Sequence, residues 1–147
     1  MNITIIGAGP RGLSVALYAL YKNYKVTLID SNLLHTWSSD YLIADLEMRS
    51  PLSFDLVTYI EELQEFSLAN YLKLDYAFTN NQTTIESSKT KVTREQFCNY
   101  LQWVYSYLKD KITVIKQTVV DVQANKVYLA NNTIIESDAV VFCTGYQ

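Results

Sequence analysis

Six residues near the start of the chain, Gly7-Ala8-Gly9-Pro10-Arg11-Gly12, constrain its fold more than any other stretch. They spell G-x-G-x-x-G, directly after the β-branched run Ile3-Thr4-Ile5-Ile6 and directly before a helical pattern. From Pro10 onward Leu13, Ala16, Leu17 and Leu20 recur at three- and four-residue steps, and proline suits a first helical turn. The spacing predicts a strand over residues 1–6 and a helix from Pro10 that ends at Asn23 or Tyr24. A second apolar strand follows over Lys25 to Ile29. A strand, a helix and a strand in this order imply a right-handed βαβ unit.

In that setting each glycine has its own task. Gly7 allows the tight turn, Gly9 lets a pyrophosphate approach the backbone amides, and Gly12 permits close packing of helix on strand. The free N–H groups where the helix begins, around Pro10 and Arg11, favour an anion, and an arginine there suits phosphate. Asp30, followed by Ser31, lies about twenty residues on at the end of the second strand, where a carboxylate accepts hydrogen bonds from ribose hydroxyls. Glycines that serve turns alone are the simpler reading, but the strand, helix and acid around them point to a dinucleotide site.

The remaining chain reads more unevenly. Residues 31–53 keep no sustained period and hold His35, Trp37, Arg49 and Pro51, the pattern of a long functional loop. Leu56, Tyr59, Ile60 and Leu63 predict a helix over Asp55 to Phe66 with Asp55 at its start, and the polar residues 74–92 read as an exposed connection. A long helix is predicted over Thr93 to Lys109, because Thr93 and Gln96 are spaced as a capping box and Phe97, Leu101, Val104 and Leu108 share one face. Tyr100, Trp103, Tyr105 and Tyr107 on that helix are expected to pack rather than bind. Short β-prone runs at 112–115, 119–122, 126–129 and 133–135 predict a β-meander. The continuous apolar run Ala139 to Cys143, ending at Thr144-Gly145, predicts a central strand covered on both faces, with Cys143 buried and inert.

Composition narrows the function by exclusion. The 147 residues are enough for one domain, and a net charge of −3 leaves no excess of cations to neutralise nucleic-acid phosphates. A single histidine, His35, excludes a multi-histidine metal site and a Ser-His-Asp constellation in any ordinary arrangement. Two distant cysteines argue against a disulfide framework and for a reducing, cytoplasmic setting. The apolar stretch Leu13 to Tyr21 is too short to span a bilayer, and no export signal precedes it.

The whole chain resembles the N-terminal FAD-binding half of two-dinucleotide flavoproteins. Within them it is most similar to flavin-dependent N-hydroxylating monooxygenases of the lysine and ornithine type. The resemblance is carried by Gly7 to Gly12, Asp30, Trp37, Met48-Arg49-Ser50-Pro51, Thr93 to Phe97 with Tyr100-Leu101-Gln102-Trp103, and Thr144-Gly145. It implies an α/β, Rossmann-like fold of the glutathione-reductase type, three-layered, with a parallel sheet and a small β-meander. A meander followed by an apolar strand ending in Thr-Gly also favours FAD over NAD, since a plain NAD domain would continue with another helix-linked parallel strand.

The resemblance further implies FAD as cofactor, NAD(P)H as reductant and an amine or amino-acid-like substrate. It implies reduction of the flavin, capture of oxygen and oxygen transfer to substrate. It places adenine against the backbone near Val119, Trp37 and the Arg49-Ser50 region near the inner part of the cofactor, and Thr144-Gly145 at the close of the first FAD segment. The chain stops at Gln147, where the resembling enzymes enter an NAD(P)H-binding domain, and it holds no second glycine-rich fingerprint. The expectation is therefore an incomplete sheet, a chain not catalytically complete by itself, and self-association through the open edge. A non-catalytic dinucleotide-binding module and an NAD(P)-binding domain without flavin are the alternatives.

Overall fold

The computed structural model describes residues 1–33, 46–58, 60–79 and 91–145. β1 (Asn2–Ile6) runs into the glycine loop, which opens α1 (Pro10–Tyr21), and β2 (Lys25–Asp30) returns parallel to β1. The register pairs Ile3 with Val26 and Ile5 with Leu28. β3 (Thr113–Lys116) extends the sheet beyond β2, and β7 (Ala139–Phe142) pairs with β1, so the parallel sheet has the order β3-β2-β1-β7. β4 (Val119–Gln123), β5 (Lys126–Leu129) and β6 (Ile134–Glu136) form a separate antiparallel meander.

Strand alternation sorts the side chains into two cores and so defines three layers. Ile3 and Ile5 of β1 with Val26 and Leu28 of β2 face α1 and the later helices, packing with Leu13, Ala16 and Leu17. Ile6 and Ile29 face the other way, against Val127 and Leu129 of the meander. α3 (Arg94–Leu108) packs against α1 on the helix side of the sheet, with Phe97, Leu101, Val104 and Leu108 buried. Its start is fixed as the spacing predicts: Thr93 Oγ1 accepts from the Gln96 N–H at 3.1 Å and Gln96 Oε1 accepts from the Thr93 N–H at 3.0 Å. The aromatic residues of this helix do pack: Tyr100 and Trp103 join Phe66 and Tyr71, while Tyr107 lies over Phe66 with ring centroids 4.5 Å apart.

Four expectations change. Residues 52–58 form turns and Glu61–Phe66 a 3-10 helix, in place of one helix over 55–66. The cause is local competition for the backbone: Asp55 Oδ1 accepts from the Val57 N–H, and Thr58 Oγ1 accepts from the Asp55 N–H at 3.1 Å. Asp55 does serve a helix start, but that of α2 (Leu68–Thr79), where its Oδ2 accepts from the Leu68 N–H at 2.8 Å. α2 also runs through residues 74–79, which the polar composition assigns to an exposed connection. The first run counted in the meander is instead β3 of the parallel sheet, because its partner β2 lies far back in the chain. Finally, β7 is an edge strand among the described residues rather than a central one, and Phe142 is 63% exposed.

Candidate functional site

The glycine loop lies at the carboxyl ends of β1, β2 and β7, where ligands bind in sheets of this kind. It is tied to both flanking strands: the Gly7 N–H donates to the Ile29 carbonyl and the Cys143 N–H donates to the Ile6 carbonyl, each at 2.7 Å. Gly7 takes φ +104, and a Cβ there would run into the Cys143 carbonyl. A Cβ on Gly12 would run into the Gly7 carbonyl, so helix and loop touch backbone to backbone. Gly9, the residue before α1, has φ −72 and ψ −173, a conformation open to any residue. Its lack of a side chain is therefore not demanded by the backbone.

Asp30 closes the loop from the side. Its Oδ2 accepts from the Ala8 N–H at 2.7 Å, and its Oδ1 accepts from the N–H groups of Asn32 and Leu33, also at 2.7 Å. The second strand thus ends on a carboxylate that is locked in orientation by three backbone amides. A cleft of about 530 Å³ opens beside it, lined by Gly7, Asp30, Ser31, Val119 and Thr144 among others. The β-bulge between Val119 and Asp121 interrupts the β4 register at the cleft wall, where Val120 also lines the cleft and is 62% exposed.

Of the residues expected from sequence, the structure brings Gly7, Asp30, Ser31, Val119 and Thr144 into one cleft and sets Gly9, Pro10, Arg11 and Gly12 at the start of α1 above it. Gly145 follows at φ +76 with an exposed backbone. Arg49 is exposed on the 46–58 segment and is not among the cleft-lining residues. Trp37 and His35 lie outside the described residues. Cys143 corrects an expectation: it is half-buried and lines the cleft, where burial pushes its thiol pKa up and Arg11 pulls it the other way. Asn32, Gln117 and Phe142 also line the cleft and escaped the sequence reading. The Asn32 position could be inferred from Asp30, but Phe142 belongs to a run whose composition signals burial.

The residues present fit a dinucleotide: a helix N-terminus with no side chain at Gly9, a tight glycine turn, and an oriented carboxylate next to a cleft. Fold and site together define a Rossmann-like dinucleotide-binding domain of the flavoprotein kind. The family model for L-lysine 6-monooxygenase/L-ornithine 5-monooxygenase matches residues 1–138, and the chain belongs to that family.

An alcaligin biosynthesis enzyme of Bordetella pertussis is 30% identical over 109 residues, covering 73% of this chain and 23% of that protein. The L-lysine 6-monooxygenase of Pseudomonas syringae superposes with a TM-score of 0.68 at 20% identity over 97% of this chain and 37% of the other. The FAD-bound cadaverine monooxygenase of the desferrioxamine pathway from Erwinia amylovora gives 0.66 at 21% identity, over 97% and 35% respectively. At these identities the superpositions establish the fold. The chain spans about a quarter of the curated relative it matches and just over a third of the two structures. None of the described helices is long and apolar enough to cross a membrane.

Proposed function

We propose that the chain holds FAD for an NAD(P)H-dependent N-hydroxylating monooxygenase acting on an amine or amino-acid-like substrate. The observation that carries this reading is the join of Asp30 to the glycine loop through Ala8, at the mouth of a cleft that also contains Val119 and Thr144. The pyrophosphate rests on the amides at the start of α1, past Gly7, Gly9, Pro10 and Gly12, with Arg11 available to its charge. Asp30 and Ser31 take the ribose end, and the backbone at Val119 takes adenine. Thr144 and Gly145 border the opposite half of the cofactor, with Trp37 and Arg49 near its inner part. The bound flavin supplies the redox chemistry, and the chain's own residues bind it, orient it and set the charge around it.

The chain is one domain in this reading, with the nicotinamide nucleotide bound by residues other than these. Its setting is the cytoplasm. The test is spectroscopic. Purified protein is titrated with FAD while visible absorbance and flavin fluorescence are followed. Saturable binding of one FAD per chain is the expected result. Binding of NAD(H) or ADP with no response to FAD would reverse the assignment of the cofactor.

A further inference from the structure

One residue in the 46–58 segment has both of its backbone polar groups held by side chains of two different helices. The Leu56 carbonyl accepts from Ser14 Oγ at 2.6 Å, and the Leu56 N–H donates to the Tyr100 hydroxyl at 3.4 Å. The Tyr100 hydroxyl gives its own proton to the Phe66 carbonyl at 2.6 Å. Ser14 stands one turn into α1, just past the glycine loop, and Tyr100 is a fully buried residue of α3. Both hydroxyls therefore converge on a stretch of chain that has no ladder of its own and whose only β-contact among the described residues is a bridge between Glu47 and Thr93.

That stretch packs in the helix-side core and meets the first turns of α1 at Ser14. Leu52, Leu56 and Val57 are buried in the same cluster as Ala8 and Leu13, while Arg49 and Phe54 on the same segment stay exposed. The cleft with Asp30 and Val119 opens at one side of the loop, and the 46–58 segment is bonded to Ser14, two residues past Gly12 in α1. A phenylalanine would fill the space of Tyr100 equally well, so the hydroxyl is there for its hydrogen bonds and not for bulk.

We propose that Ser14 and Tyr100 are positioning residues, which together fix the 46–58 segment beside the glycine loop so that it forms a wall of the cofactor site. The inference rests on the FAD reading above. It adds that this wall is tied to α1 and α3 at Leu56 by two hydroxyls, beside the side-chain bonds that Asp55 and Gln64 make at its neighbours. Neither hydroxyl touches the cofactor; both act through the segment.

The experiment compares FAD affinity of the full chain with that of Tyr100→Phe, Ser14→Ala, Ser14→Thr and Leu108→Ala, at a temperature below every unfolding transition. Hydrogen exchange at the amides of Leu56 and Val57 is read in parallel. Tyr100→Phe and Ser14→Ala are each expected to raise the Kd for FAD about tenfold and to speed that exchange, the loss of one well-placed hydrogen bond. Ser14→Thr, which keeps a hydroxyl, restores both readouts. Leu108→Ala opens a cavity in the same core while keeping both hydroxyls, and is expected to lower the melting temperature while leaving Kd unchanged. Unchanged Kd in Tyr100→Phe and Ser14→Ala, or an equal rise in Leu108→Ala, overturns the positioning role while leaving the FAD assignment intact. Absence of FAD binding by the unsubstituted chain overturns the FAD assignment itself, and the positioning role with it.

Discussion

The Asp30 carboxylate accepts a hydrogen bond from the Ala8 N–H at 2.7 Å, joining the end of the second strand to the middle of the glycine loop. An acid whose other oxygen is held by the amides of Asn32 and Leu33 cannot swing away, so its charge is presented at a fixed place in the cleft. Asp30→Ala removes one acceptor from three amides at once. It is expected to cost about 1–3 kcal/mol of stability and to weaken FAD binding by about tenfold or more. Thermal melts and fluorescence titration check the two effects separately.

Gly9 and Gly12 should respond differently to the same added methyl group. Gly9 has ordinary backbone angles, so Gly9→Ala is expected to fold with near-normal stability and to lose FAD affinity by obstructing backbone approach. At Gly12 the new Cβ meets the Gly7 carbonyl, and Gly12→Ala is expected to lose about 1–3 kcal/mol or more of stability whether or not FAD is present. Denaturant melts with and without cofactor distinguish the pair.

Thr93→Ala tests the cap of α3. Losing the hydroxyl that accepts from the Gln96 N–H should cost about 1 kcal/mol, seen as a drop of about 2–4 °C in Tm for a chain of this size.

Tyr100 makes stability depend on alkaline pH. Burial, with Asp55 nearby, pushes its hydroxyl pKa well above the ordinary tyrosine value. The native state then keeps a proton that the unfolded chain releases above pH of about 10, so stability is full below that pH and falls above it, by about 1.4 kcal/mol per pH unit for this one group. Tyr100→Phe is expected to be less stable at neutral pH and to show a shallower decline at high pH. Urea melts from pH 8 upward, with the two proteins side by side, read that difference directly.

Among the described residues β7 is an edge strand with no charged residue, and Phe142 is exposed at its end. Self-association through this edge is expected to grow with protein concentration, and Phe142→Lys to suppress it. Light scattering over a concentration series measures both.

What could be read from sequence and what could not divides along the range of the interactions. The β1, glycine loop, α1 and β2 unit is specified by neighbours: β-branched residues before Gly7, Pro10 at the first turn, and Asp30 at the strand end. The start of α3 is equally local, since Thr93 and Gln96 satisfy each other three residues apart. The segment from Asp55 to Phe66 has helical apolar spacing, but Asp55 and Thr58 take the backbone bonds that a helix would need, and their side-chain choices are not visible in periodicity. Ser67 ahead of Leu68, with Tyr71 and Leu72 at helical steps, was a usable signal for α2; Ser67 Oγ indeed accepts from the Asn70 N–H at 3.2 Å. β3 was unreadable in principle as part of the parallel sheet, because Thr113 to Lys116 choose their partners among Thr27 to Asp30. For the site, the glycines and Asp30 are legible because their chemistry depends on local spacing, whereas Cys143 and Phe142 reach the cleft through pairing with β1.

The centre of the sheet joins the two ends of the chain. Asp138 Oδ2 accepts from the Asn2 N–H, and Ser137 Oγ donates to Thr4 Oγ1 in the interior. During synthesis β1 leaves the ribosome well ahead of β7, one of its two neighbours, which is made only after about 130 further residues have been added. The apolar residues of β1 must wait through almost the whole translation of this region before both sides of the strand are covered. Such long-range parallel pairing is slow and leaves strand edges open to other chains, so growing polypeptides of this kind should depend on holdase chaperones until β7 has been made.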